Sequence, residues 1–266
     1  MFYRLTSVLL GLLCFGMVST SQAVVLFDQN VTNEVIFGSG NANGDFTVDR
    51  ANGIELGLRG KLRFDQNNQP QNVFNSNGDG TYSFSAGTPP TGFSFAPNSP
   101  TTPVWNFEWS INSSFDASGG ALNSVLYLIQ IDFDPGAGTN FRSFDPINQT
   151  VADHAIGNNA TANGGGSVAA DAGEYSALIA ANNLAQNSWN MEFFNDAPFD
   201  IFDPNLPGIY TIVLSAFDFQ TEEMLSSVSI DVIVSALAVP EPSTLGLLLL
   251  GLIGLGFLSR QRRRLS

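Results

Sequence analysis

The stretch VWNFEWSIN, residues 104–112, alternates large apolar side chains with polar ones. In an extended chain, Trp105, Phe107, Trp109 and Ile111 fall on one face and the polar residues between them on the other. A period of two is typical of a strand with one face in a core and the other in water. The stretch therefore predicts a half-buried β-strand.

Similar alternation recurs along the chain. Residues 209–219 and 225–234 flank the polar residues 220–224, which predicts a β-hairpin, and residues 53–59, 81–86 and 189–194 are further strand candidates. Two core-facing rows are predicted: Val125, Tyr127, Ile129, Ile131 and Phe133 in one strand, and Val228, Ile230, Val232 and Val234 in another. In the first of these strands, Gln130 and Asp132 are expected to face outward.

The segments between these strands are rich in Gly, Asn, Asp, Ser and Pro, as in NSNGDG at residues 75–80. One helix is predicted, over residues 173–186, where Tyr175, Leu178, Ile179 and Ala185 share a face. Many short strands separated by turn residues favour an all-β fold. We expect an antiparallel β-sandwich with long polar loops and one short helix.

The dipeptide Phe-Asp occurs eight times. The simplest interpretation is that Phe closes a strand against the core and Asp opens the turn that follows. The eight phenylalanines are Phe27, Phe64, Phe115, Phe133, Phe144, Phe199, Phe202 and Phe217.

The chain carries a formal net charge of −14. Between Val24 and Val239, 23 acidic residues stand against five basic ones, so that this segment carries −18. Such a surface repels phosphate backbones, and we expect no nucleic-acid partner.

Residues 1–23 are typical of a secretory signal peptide, with Arg4 ahead of an apolar run and the small residues Ser21 and Ala23 before the cut. We expect cleavage after Ala23 by signal peptidase, following export through the Sec machinery. Cys14, the single cysteine, lies in the apolar run, so the mature chain has neither a disulfide nor a thiol nucleophile.

The residues that could carry chemistry in the body are few. His154 is the single histidine, which excludes a zinc site with several histidines, and its polar surroundings in the sequence predict a solvated side chain. Calcium is the best cofactor candidate because it prefers oxygen ligands. The candidate ligands are Asp132 and Asp134, and Asn75, Asn77 and Asp79, with ordinary turn hydrogen bonding as the alternative interpretation of both groups.

The chain ends in VPEPSTLGLLLLGLIGLGFLSRQRRRLS, residues 239–266. We expect a β-sandwich ectodomain at 24–238, a motif at 239–244, a transmembrane helix at 243–259 and a basic tail at 260–266. The 17 residues 243–259, which are apolar throughout 245–258, are close to the lower limit for a bilayer span. By the positive-inside rule, the arginines of the tail stop transfer and leave the acidic body outside the cytoplasm; they are Arg260, Arg262, Arg263 and Arg264.

Pro240, Glu241 and Pro242, followed by an apolar helix and an arginine cluster, closely resemble the PEP-CTERM sorting signal of Gram-negative bacteria. The resemblance implies recognition by an exosortase, a membrane-embedded cysteine protease, with passage of the body to the surface or matrix. The same tail also bears the label ice-binding protein C-terminal domain. The body, however, lacks the short Thr-rich repeat that would form a flat ice-binding face.

The leading hypothesis is therefore a non-enzymatic, exported surface or extracellular-matrix protein, whose precursor is anchored in the inner membrane. A carbohydrate- or calcium-binding surface module, with extracellular polysaccharide as partner, is the alternative. A secreted hydrolase that uses two carboxylates is the third hypothesis, because the many acids always offer pairs.

Overall fold

The computed structural model describes residues 24–37, 41–65, 67, 69–87, 102–194 and 203–236. The predicted signal peptide with Ser21 and Ala23, the Pro240–Pro242 motif, the apolar tail helix and the terminal arginines lie outside the described residues. Within those ranges no helix is long and apolar enough to cross a membrane.

The described residues form eleven strands and one α-helix. In chain order, the strands are β1 (Leu26–Gln29), β2 (Phe46–Ala51), β3 (Ile54–Leu62), β4 (Thr81–Ser85), β5 (Trp105–Asn112), β6 (Val125–Asp132), β7 (Phe141–Phe144), β8 (Ala155–Gly157), β9 (Leu184–Asn190), β10 (Gly208–Asp218) and β11 (Met224–Ser235). The helix α1 spans Ala172–Ala181. A fold made mostly of β-sheet is therefore confirmed.

The strands form two sheets. Sheet A has the order β1-β2-β3-β5-β9-β8, and sheet B has the order β4-β11-β10-β6-β7. Sheet A is antiparallel throughout, whereas in sheet B the edge strand β4 runs parallel to β11, with Thr81 opposite Asp231 and Ser85 opposite Ser235. The expectation of purely antiparallel sheets is wrong at this pair. Side-chain alternation indicates which face of a strand is buried, but it does not indicate the direction of a neighbouring strand that is far away in sequence.

The main core lies between the two sheets. Trp105 of β5 packs against Phe84 of β4 and Tyr210 of β10, with ring centroids 6.1 and 5.8 Å apart. Both predicted core-facing rows are buried, namely the odd-numbered residues 125–133 and the even-numbered residues 228–234. The alternation in β6 and β11 therefore identified the inner faces correctly. Asp132, expected to face outward, is buried as well, while Gln130 is partly exposed.

Sheet A is covered on its outer face as well. All eight residues of β5 are buried, including Asn106, Glu108 and Ser110, so the prediction of a half-buried strand is wrong for its polar face. The covering layer comes from the chain between β1 and β2, where Val31 and Ile36 pack on Phe46 and Val48 of β2 and form a second small core. The polar face of β5 thus lies between layers of the protein and not in water.

The helix is shorter than predicted. Asp171 caps α1 by accepting a hydrogen bond from the Glu174 N–H at 2.9 Å, and the Glu174 carboxylate accepts one from the Ala170 N–H. Tyr175 and Ile179 are buried as expected. The predicted residues 184–186 belong instead to β9, where Ala185 is buried in sheet A.

Other boundaries also differ from the prediction. Of residues 189–194, only the first two lie in β9, and Met191–Phe194 form a 3₁₀ helix. The alternation did not reveal the short strands β1, β7 and β8, nor β2, whose polar residues Thr47 and Asp49 face the main core.

Three of the Phe-Asp pairs, at Phe133, Phe144 and Phe217, lie at the end of a strand and open a turn as predicted. Asp134 accepts a hydrogen bond from the Gly136 N–H, Asp145 from the Ile147 N–H and Asp218 from the Gln220 N–H. Asp65, Asp116 and Asp203 likewise accept a hydrogen bond from the N–H two residues further along the chain. Asp28 differs, because it lies inside β1 and accepts from the Ser76 hydroxyl. In all six turns the Asp side chain bonds to the backbone two residues on. Phe199 and Phe202 lie outside the described residues.

Candidate functional site

An aromatic cavity of about 420 Å³ lies where β7 of sheet B meets β9 of sheet A. We call it the aromatic cavity, and its rings come from Phe144, Trp189, Phe193 and Phe194. Phe144 and Trp189 have ring centroids 5.7 Å apart, and the ring of Phe194 lies 5.9 Å from Phe144 and 5.7 Å from Trp189. These three rings therefore form one continuous apolar wall.

Local structure places each ring. Phe144 ends β7, and the turn at Asp145 directs the chain away from sheet B. Trp189 lies near the end of β9 opposite Phe107 of β5, whose ring it meets edge-on at 5.8 Å. The 3₁₀ helix that follows β9 then carries Phe194 into the wall and leaves Phe193 at the opening, 42% exposed.

His154 forms the back of the aromatic cavity. It is 2% exposed and meets the ring of Trp109 edge-on, with centroids 4.8 Å apart. The expectation of a solvated histidine is wrong, because residues 145–154 return from β7 to sheet A and bring this side chain into the core. A polar sequence around a residue does not show what folds over it.

The hydrogen bonds of His154 define its tautomer. Nε2 lies 2.7 Å from the Pro146 carbonyl oxygen, which can only accept, so Nε2 carries the proton. Nδ1 accepts from the side-chain amide of Asn187 at 3.1 Å. Burial lowers the pKa of His154, which favours this neutral form, although the Pro146 carbonyl and Asp153 oppose the shift. Both ring nitrogens are thus engaged within the protein.

The polar groups at the opening of the aromatic cavity are Asp153 and Gln149, both exposed. One carboxylate oxygen of Asp153 accepts a hydrogen bond from the Asn187 amide at 3.0 Å. The Gln149 amide nitrogen donates to the Asp145 carbonyl. Fixed on one side by these contacts, the two groups still present hydrogen-bonding capacity toward the opening.

A second, more polar cleft of about 710 Å³ lies between residues 28–34 and 159–162. Beside it lies a network of three asparagines, in which the Asn183 amide donates to the side-chain oxygens of Asn112 at 2.7 Å and Asn159 at 2.8 Å. Arg50 at the edge of the cleft pairs with Glu55, Nε to Oε2 at 2.6 Å, and also donates to the Asn30 carbonyl. Its charge is therefore already compensated.

The polar face of β5 holds a buried ion cluster, which we call the Arg59 cluster: Arg59, Lys61 and Glu108. Arg59 Nη2 and Lys61 Nζ lie 2.6 and 3.2 Å from the two Glu108 carboxylate oxygens. The Arg59 guanidinium lies between the rings of Phe46 and Phe74, at 4.1 and 3.7 Å. Burial lowers the pKa of Arg59 and of Lys61, and the Glu108 carboxylate opposes both shifts.

The side chains predicted to bind calcium form hydrogen bonds within turns. Asp132 accepts hydrogen bonds from the N–H groups of Asp134 and Asn140, and Asp79 accepts from both the N–H and the hydroxyl of Thr81. The Asn77 amide donates to the Thr81 and Ser83 hydroxyls, and the Asn75 amide to the Ser83 carbonyl. In the part of the chain that the structure describes, no three His, Cys, Asp or Glu residues are grouped to hold a metal ion. The calcium hypothesis stays a prediction.

Three of the buried carboxylates that a hydrolase could use are engaged structurally. Glu108 belongs to the Arg59 cluster, and Glu55 accepts from Arg50 and from the Thr32 hydroxyl. Asp49 accepts from the Ser226 hydroxyl at 2.6 Å and so ties β2 to β11. None of the three lines the aromatic cavity or the polar cleft.

Sequence reasoning did not find the aromatic cavity. Its walls come from segments separated by up to about fifty residues, and the phenylalanines resemble ordinary core residues in the sequence. The one available signal was the density of aromatic and polar residues around residues 189–194. The alternation of those residues had instead predicted a strand there.

The tail lies outside the described residues, and β11, the last of the described strands, ends at Ser235. No curated protein and no solved structure shows significant similarity to this chain. A family model for the PEP-CTERM protein-sorting motif matches immediately beyond β11. The resemblance of the tail is thus confirmed: the chain carries a PEP-CTERM protein-sorting motif at residues 238–264.

Proposed function

We propose that this chain is a non-enzymatic, exported protein of the cell surface or extracellular matrix, delivered through its C-terminal sorting signal. The observation that carries the proposal is the sorting motif at residues 238–264. In this proposal an exosortase reads Pro240, Glu241 and Pro242, the helix at residues 243–259 holds the precursor in the inner membrane, and the arginines keep their end in the cytoplasm.

The arrangement of the body supports this division of roles. Strand β11 of sheet B ends at Ser235, and the match to the sorting motif begins at residue 238. The main core is contributed by residues 54–234, so removal of the tail takes no residue from it. A sandwich complete without its tail can be released intact.

The length of the apolar segment also favours a removable signal. Seventeen residues of helix span roughly 26 Å at about 1.5 Å per residue, and a bilayer core is about 30 Å thick. A permanent anchor of this length would require thinning of the bilayer. A signal that is read once and removed needs only a temporary hold.

The test separates the two roles of the tail. We replace Pro240→Ala together with Glu241→Gln in the full chain, expressed in a host that contains an exosortase, and use Gln261→Ala as the control within the same tail. We expect the wild type and the control outside the inner membrane and shortened by about 25 residues, as measured by mass spectrometry of the C-terminus. The double variant should accumulate at full length in the inner membrane, because the apolar length and the arginine cluster are unchanged.

Intact wild-type protein in the inner membrane of that host would contradict the proposal. Equal processing of the wild type and the double variant would show that these residues are not what the protease reads.

A further inference from the structure

We propose that the aromatic cavity binds a neutral sugar unit of an oligosaccharide or polysaccharide, with its apolar face on the rings and its hydroxyl groups on Asp153 and Gln149. This is a binding function of the sandwich itself and stands apart from the sorting of the tail.

The size and lining of the aromatic cavity fit a small-molecule site. Its volume of about 420 Å³ falls within the roughly 300–1,000 Å³ usual for ligand pockets. The wall is mostly aromatic, and a few polar groups lie at the opening. In most ligand sites the apolar lining supplies contact area and a few polar groups fix the orientation of the ligand. Phe193, 42% exposed, provides the accessible ring, and Phe144 is half-buried in the same wall.

The charge of the site disfavours anionic ligands. Among the described residues that line the aromatic cavity, none is basic, and Asp153 is negative. His154 does not supply a positive charge, because burial lowers its pKa and both ring nitrogens are already bonded. The body around it carries −18. A sulfated or carboxylated sugar would therefore be repelled.

The hydrogen-bonding groups favour a hydroxylated ligand over a simple cation. Asp153 accepts, and the Gln149 amide both donates and accepts. A hydroxyl group does the same, so neighbouring hydroxyls of a sugar ring can satisfy both side chains at once. A quaternary ammonium ion would contact the rings by cation–π attraction but could not use the hydrogen-bonding capacity that the Gln149 amide retains beside its contact with Asp145.

The rings are held in place before any ligand arrives. Trp189 is 9% exposed and contacts Phe107, Trp109 and His154, at centroid distances of 5.8, 5.2 and 5.9 Å. Asn187 fixes both Asp153 and His154 from the same strand. A site fixed in this way loses little side-chain entropy on binding.

The experiment uses the full-length chain in a detergent without a sugar headgroup. Of the three tryptophans, Trp189 lines the aromatic cavity, whereas Trp105 and Trp109 are fully buried. Tryptophan emission is therefore followed during titration with neutral hexose and N-acetylhexosamine oligosaccharides, with a uronic-acid oligosaccharide and with tetramethylammonium. We expect a saturable change with at least one neutral oligosaccharide and none with the other two probes.

Two variants with matched controls locate the site. Phe193→Ala and Asp153→Asn should each weaken binding about tenfold, since one removes the exposed ring and the other the carboxylate charge. Phe219→Ala, 57% exposed on the β10–β11 hairpin, and Glu223→Gln in the same hairpin should bind like the wild type. Circular dichroism serves as the check that all four variants are folded.

The proposal is overturned if no neutral oligosaccharide binds, if tetramethylammonium binds in their place, or if Phe193→Ala and Phe219→Ala bind equally well. A processing defect in the tail would leave every one of these results unchanged, so the two proposals fail separately.

Discussion

Replacing Glu108 by Gln tests how much the Arg59 cluster stabilises the fold. The change keeps the size of the side chain and removes its charge, which leaves Arg59 and Lys61 as buried cations without a counter-charge; their side chains are 0% and 6% exposed. Breaking a buried ion pair by removing one partner costs about 3–5 kcal/mol. For a domain of this size, that corresponds to a fall in Tm of roughly 6–20 °C.

The matched control is Glu55→Gln. Glu55 is equally buried, but its partner Arg50 is 24% exposed and can regain water when the carboxylate is lost. Burial also raises the pKa of Glu55, so the fold disfavours its charged form and little is lost when the charge is removed. We therefore expect a cost of about 1 kcal/mol for this variant.

Thermal and urea unfolding of the two variants and the wild type measure the difference. The loss of stability in Glu108→Gln should become smaller as pH rises toward 10.5, the ordinary pKa of Lys61. Burial lowers the pKa of Lys61 and the Glu108 carboxylate opposes that shift, so the variant lowers the folded-state pKa further and gains more stability than the wild type as pH rises toward the unfolded value. A loss equal to that of Glu55→Gln would refute the reasoning, as would a loss in Glu108→Gln that does not change with pH.

Two further outcomes are expected. Burial lowers the pKa of His154, so as pH falls the unfolded chain takes up a proton near the ordinary pKa of 6.5 before the folded chain does. The free energy of unfolding should therefore be fully present above that pH and decrease between about pH 7 and 5. In His154→Gln, the free energy of unfolding measured in urea should fall less steeply as pH decreases. An unchanged pH dependence would contradict this assignment. Millimolar calcium should raise the Tm, and magnesium much less, if Asp132 and Asp134 or Asp79 form a site; equal small shifts that disappear in salt would show screening alone.

Alternation predicted the inner faces of the strands because each apolar row must be buried against the core. The rows in β6 and β11 are buried as expected, and turns such as those at Asp134 and Asp218 open directly after a Phe. Both signals are local: one depends on the period of a strand, and the other on a side chain that bonds to the backbone two residues on. Neither requires knowledge of distant neighbours.

The helix boundary and the outer face of sheet A could not be predicted from such signals. Alanine and leucine suit α1 up to Ala181, but Ala185 belongs to β9 through its pairing with Ile111. The segment over sheet A places Glu34, Val35 and Phe37 at positive φ, a conformation that is uncommon for residues other than glycine and that tertiary packing imposes here.

The sequence by itself determined the all-β class and the sorting tail. Pro240–Pro242, the apolar residues and the arginines form a continuous signal, and a continuous signal can be read without a fold. Only the tertiary structure decided the parallel pairing of β4 with β11, the burial of Glu108 and His154, and the aromatic cavity. Each of these depends on which distant segments meet, and contacts of that kind are set by the packing of the whole domain and not by the residues on either side.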